Sequence, residues 1–141
     1  MPIIRYDHTI AIGNLFYVVA DTAVNEGDVM VVTGNTRTTD PSGTKYEVAP
    51  LLGGYSEDNA IGIALTDMET DFPLRDDITI VIHGPVEVLA GGTVTINNMV
   101  KGVIGNAGVE NASADDWAIG RALTTASSGN KAIIMTDPGY A

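Results

Sequence analysis

The sequence predicts an all-β protein with little helix: a compact small barrel or sandwich of short strands, made of two related β-units behind an extended N-terminal arm. Three observations carry this. The pattern Ala-Ile-Gly-x-Ala-Leu-Thr occurs twice, at 60–66 and 118–124, and an apolar run follows each copy, Ile78-Thr79-Ile80-Val81-Ile82 and Ala132-Ile133-Ile134-Met135. Glycine is abundant at 16 of 141 residues while aromatics are only 6%, a mixture that favours strands separated by many turns. The apolar runs are short, rich in Val and Ile, and bounded by Gly, Asn, Asp or Pro.

The arm is assigned to residues 1–14 and a single β-rich domain to 15–141, with internal units at approximately 24–83 and 88–137. A chain of 141 residues buries roughly two thirds of its unfolded surface and folds as one domain without staples. Cysteine is absent, so there is no disulfide framework and no thiolate metal site. No apolar run approaches the roughly twenty residues of a membrane span, and the N-terminus lacks the basic and long apolar regions of a signal peptide. A soluble protein with no membrane partner is expected. Seven basic against 18 acidic residues give a net charge of -11, which repels nucleic acid and anionic lipid. Nucleic acid is therefore not an expected partner, and the acidity serves solubility or marks a surface that faces outward.

In chain order, Met1-Pro2-Ile3-Ile4-Arg5-Tyr6 is apolar without helical period and reads as an extended arm that docks on this protein or on a partner. Leu15 to Ala20 is a strand, Asn25 to Asp28 a turn, and Val29 to Val32 a second strand. Thr36 to Gly43 is a polar loop, and Tyr46-Glu47-Val48 returns as a hairpin limited by Pro50. Ile78 to Ile82 alternates as a strand, Gly84-Pro85 breaks it, and Val86 and Val88 resume. Thr93 to Ile96 and Lys101 to Gly105 are short strands, with Asn97-Asn98 a turn between them. Ser113, with Asp116 three residues on, can cap one helical turn.

The seven-residue pattern reads as a packing device. Gly62 and Gly120 allow a neighbouring backbone to approach or a bulge to form, while Ile61, Leu65, Ile119 and Leu123 fill the core. A glycine turn feeding a strand accompanies each copy, Gly27-Asp28-Val29 and Gly92-Thr93-Val94. Two units are too few for a solenoid and are expected to pack as halves of one barrel or sandwich.

No catalytic constellation is found. His8 and His83 have no partner at ligand spacing, and there is neither a nucleophile elbow nor a phosphate loop nor a dinucleotide fingerprint. Asp67-Met68-Glu69-Thr70-Asp71 alternates acids, but Phe72 stands where a calcium loop needs glycine. Asp76-Asp77 and Asp115-Asp116 read as turn and cap residues. The expectation is a protein that is not an enzyme, with no catalytic, cofactor-binding or metal-binding residues and no cofactor. Trp117, the single tryptophan, reads as either core or intersubunit anchor, and Arg121, which replaces Ile63 at the variable position of the pattern, as either a solvated cation or a contact to a neighbour's acid.

Ala90-Gly91-Gly92-Thr93-Val94, Ala118-Ile119-Gly120-Arg121-Ala122, Ala126-Ser127-Ser128-Gly129 and the strand Ala132-Ile133-Ile134-Met135 together resemble the capsid decoration, or cement, proteins of tailed bacteriophages. The resemblance is best from about Val86 to Thr136. It implies a β-rich homotrimer on the outer surface of the phage head, made in the host cytoplasm, whose partner is the major capsid protein and whose role is to clamp adjacent capsid subunits. Under that reading Pro2, Ile3, Ile4, Arg5 and Tyr6 are the candidate capsid-binding residues, and Trp117 and Arg121 the candidate oligomer interface. The alternatives are another β-structural virion component, such as a tail, fibre or receptor-binding module, and a small trimeric β-enzyme with an intersubunit site.

Overall fold

A computed structural model describes residues 10–19, 22–39, 43–52, 55–65 and 77–140. Nine strands account for most of them: β1 Ile10–Val18, β2 Val29–Thr39, β3 Gly43–Pro50, β4 Ala60–Ala64, β5 Asp77–Leu89, β6 Met99–Gly102, β7 Val109–Asn111, β8 Trp117–Ala122 and β9 Lys131–Tyr140. One 3₁₀ turn, Glu57–Asn59, leads into β4, and Ser56 caps it by accepting from the Asp58 N–H. The all-β expectation holds.

The strands form a five-stranded barrel and a second sheet joined by one long strand. β1 pairs in parallel with β3 and antiparallel with β5, and β3–β2, β2–β4 and β4–β5 complete the ring. The second sheet runs β5–β9–β8–β6–β7, all antiparallel. A single parallel bridge, Ala90 to Val109, brings the chain just after β5 back onto β7. β1 begins at Ile10, so residues 10–12, assigned from sequence to the arm, are bridged to β5.

β5 belongs to both halves. Its first part pairs with β1 and β4, and from Gly84 onward it pairs with β9. The sequence suggests a break at Gly84-Pro85, but the strand runs through it. Gly84 takes a φ of 126° that a side chain would resist, and Pro85 loses little because β5 has only β9 beside it there.

Both halves carry the same hydrogen-bond pattern. Met30 faces Gly62 across β2 and β4 as Val100 faces Gly120 across β6 and β8. Ile63 faces Val81 as Arg121 faces Met135, and Val18 faces Val48 as Ala90 faces Val109. The Gly27 N–H donates to Ala64 O and that of Asn97 to Ala122 O, both at 2.9 Å. The structural counterpart of Gly27 is therefore Asn97, and not Gly92 as the glycine turns suggest.

Equivalent positions fill the two interiors. Phe16, Met30, Val48, Ala64, Ile78 and Ile80 are buried inside the barrel. Their counterparts Val88, Val100, Val109, Ala122, Ala132 and Ile134 are buried in the second unit. The opposite face of the barrel strands is buried as well: Val29, Val31, Ala49, Leu51, Ile63 and Val81 pack in the same cluster as the second unit. Strands buried on both faces read as unbroken apolar runs, as Val29-Met30-Val31-Val32 does.

Turn chemistry is repeated too. In Asn25–Asp28, Thr95–Asn98, Ser113–Asp116 and Ser127–Asn130 the N–H of the fourth residue donates to the carbonyl oxygen of the first at 3.0–3.1 Å. The third residue has positive φ in all four: Gly27 96°, Asn97 73°, Asp115 71° and Gly129 90°. This is the type II signature, for which Gly and Asn are suited. Ser113 therefore does not cap a helical turn; the Asp116 carboxylate instead accepts from the Ser113 N–H at 2.8 Å.

Candidate functional site

The seven-residue pattern forms β4 with its exit and β8 with its exit. A Cβ on Gly62 would collide with the carbonyl oxygen of Val81, and one on Gly120 with the carbonyl oxygen of Met135. Both glycines thus lie at close backbone approaches beside register shifts, Met30/Val31 against β4 and Ala118/Gly120 against β9. Ile119 is fully buried, whereas Ile61 and Leu65 pack half-buried against the two clusters. Leu123 departs from the core expectation at 38% exposed. It lies just past β8, tied by its N–H to Ile133 O, where the strand has left the interior.

Trp117 and Arg121 lie on the same strand, β8, but in different surroundings. Trp117 is half-buried against the shared cluster, and its indole Nε1 donates to Ala60 O at 2.8 Å, joining the second unit to the first. Arg121 is exposed on the far side of the second sheet, between Met99 of β6 and Met135 of β9. These three, with Gly120, Leu123 and Asp137, line an open groove of about 310 Å³. The arm residues Pro2, Ile3, Ile4, Arg5 and Tyr6 lie outside the described residues, as do His8 and the acidic 67–71 segment.

Two polar clusters flank these surfaces. Lys101 of β6 reaches Asp116 at 3.5 Å, Glu57 at 3.6 Å and Glu110 at 4.0 Å, so one cation holds three acids drawn from both units. Desolvation works against its charge, but the attraction of Glu57, Asp116 and Glu110 outweighs it and raises the Lys101 pKa above 10.5. The Asp116 carboxyl is lowered from 3.8, first by the Ser113 N–H and then, against some desolvation, by Lys101. The second cluster ties the β2–β3 hairpin to β5. Lys45 Nζ meets Asp77 at 2.9 Å, and the Arg37 guanidinium lies 4.1 Å from the Tyr17 ring centroid.

Nothing in these clusters forms a nucleophile and base pair. His83 Nδ1 stands 4.0 Å from Asp137, and both side chains are open to solvent. Glu87 is buried, yet its Oε1 has no hydrogen-bond partner among the described residues. Among the described residues no group of three His, Cys, Asp or Glu is placed to hold a metal. The described residues thus present a groove of methionine and arginine on one unit, and an ion network across the join.

No family model matches the chain, and no curated protein matches it. Among solved structures, the crystal structure of the head fiber gp8.5 N base of bacteriophage phi29 is similar to it. The two share a fold. The TM-score is 0.58 at 10% sequence identity, over 94% of this chain and 98% of that one. The likeness therefore spans both units and the strand they share.

Sequence reading missed the groove because its two methionines and its arginine are distant in sequence and meet only through the β6–β8–β9 register. The signal that could have found it is the one changed position of the repeat, Ile63 against Arg121.

Proposed function

We propose that this chain is a structural protein of a tailed-phage virion that sits on the outside of the head, binds the major capsid protein and stabilises the shell. The observation that carries the reading is the end-to-end fold likeness to a head fiber base. The net charge of -11, which repels nucleic acid and anionic lipid, accords with a protein partner.

A decoration protein acts by mass action. It binds the assembled shell better than free capsid subunits, and that differential affinity is the stabilisation it confers. Arm residues Pro2, Ile3, Ile4, Arg5 and Tyr6 supply the contact in this reading, as strand-like additions to a capsid subunit. Several weak contacts on one particle then reinforce one another.

The test is immunogold labelling of virions from a lysate in which this chain is made, with antibody raised against it, followed by cryo-electron microscopy. Label and added density on the head exterior support the reading; purified virions without this chain overturn it. The second reading, a fibre base, is favoured by the same neighbour. It requires a projecting density continuous with the label, whereas a cement protein gives a low knob between capsid subunits.

A further inference from the structure

We infer that the Met99–Arg121–Met135 groove is a self-association surface that receives Tyr46, on the β2–β3 hairpin of a second copy of this chain. The inference does not depend on the virion reading. It starts from the internal repeat. In the first unit, Val29, Val31, Ala49, Ile63 and Val81 form an outer face that is at most 1% exposed, because the second unit covers it. The covering is done by the β6–β7 connection and Trp117: Ala107 O accepts from the Val29 N–H, Leu51 O accepts from the Ala107 N–H, and Trp117 bonds Ala60.

By register, the same positions in the second unit are Met99, Lys101, Glu110, Arg121 and Met135. Among the described residues no further unit covers them: Arg121 is exposed and Met99 and Met135 are half-buried. The face is polar where it meets water, yet it keeps two large thioether side chains flanking the guanidinium, with Leu123 partly exposed at the rim. A cation between two methionines is a site for an aromatic ring, through cation–π and sulfur–aromatic contacts.

The element that does the covering in the second unit, the β6–β7 connection, corresponds to the β2–β3 hairpin in the first. That hairpin is longer, 33–47 against 103–108 between equivalent core residues. Asp77, Lys45 and Arg37 hold it to β5, and Tyr46 stands on it 43% exposed. Head-to-tail docking of this hairpin into the groove repeats between chains the contact that joins the units within one. Such a heterologous contact closes into a ring or grows as a filament.

The chain has no cysteine, so single-cysteine variants test the contact directly. Thr44→Cys, on an exposed position two residues before Tyr46 that leaves the ring in place, and Leu123→Cys proteins are mixed, oxidised and run without reductant, and the mass of the unmodified protein is measured by sedimentation equilibrium. The expected result is a mass above 14.7 kDa, a mixed disulfide that neither variant forms alone in comparable yield, and at least a tenfold weaker association for Arg121→Glu and for Tyr46→Ser with unchanged circular dichroism. A monomer across the accessible concentration range overturns the inference. So does an oligomer that both substitutions leave intact and that gives no mixed disulfide.

Discussion

The indole Nε1 of Trp117 donates to the carbonyl oxygen of Ala60 at 2.8 Å, so the residue just before the second copy of the repeat is bonded to the first residue of the first copy. Ala60 is buried, and its carbonyl has little access to water to replace a lost donor. Trp117→Phe is expected to cost about 1–3 kcal/mol, the penalty of an unsatisfied buried acceptor, and Trp117→Ala about 3–5 kcal/mol. Urea unfolding followed by circular dichroism measures both. Equal stability of the Phe variant would remove the bond from any account of how the units are joined.

Gly62→Ala and Gly120→Ala place a methyl against the Val81 and Met135 carbonyls. Neither backbone can withdraw without unpairing its strand, so each variant is expected to lose about 2–4 kcal/mol, at the upper end of overpacking costs. Gly129→Ala meets nothing within 4 Å and pays only for its φ of 90°, about 1–2 kcal/mol. Thermal melts of the three variants side by side separate steric collision from backbone strain.

Asp115 occupies the left-handed region at φ 71° with an exposed side chain. Asp115→Gly relieves that strain and is expected to raise stability by up to about 1 kcal/mol, less what the freer unfolded chain takes back. A lower melting temperature would mean that the aspartate makes a contribution its exposure does not suggest.

The Lys101 network makes stability depend on pH at both ends. The Asp116 pKa is lowered in the folded protein, so its contribution is complete above the ordinary carboxylate range and is lost as pH falls through the lowered value, below 3.8. The Lys101 pKa is raised, so its contribution is complete below 10.5 and is lost as pH rises through the raised value. Lys101→Gln leaves Glu57, Glu110 and Asp116 facing one another and is expected to destabilise at pH 7. The loss should shrink as pH falls through the lowered Asp116 value. Denaturation curves across pH check it, and a pH-independent difference would exclude the charge mechanism.

The repeat was legible in the sequence at one offset and hidden at another. Ala60 and Ala118 stand 58 positions apart and share seven-residue surroundings, but the strands that pair with them, at Val29 and Met99, are 70 apart (29 to 99) and share little sequence. The longer β2–β3 hairpin and the longer link from β3 to β4 account for the change of offset, and chemistry conceals it further. Gly27 and Asn97 both supply a positive φ by different means, and Phe16 and Val88 fill equivalent interior positions with different volumes. Leu123 misled because a shared sequence pattern does not carry shared burial beyond the end of a strand. Of the candidate surface, Arg121 was visible as a departure from the pattern, while Met99 and Met135 became its neighbours only once the register was known.

β5 is a single strand shared by the barrel and the second sheet, and this gives the molecule a mechanical property. Tension applied to the barrel reaches the second sheet along a covalent backbone flanked by ladders on both sides of Gly84, with no linker to take up slack. Load is then carried in shear by many hydrogen bonds at once, and peeling them one at a time is blocked. Neither half can then yield while the other keeps its share of the strand.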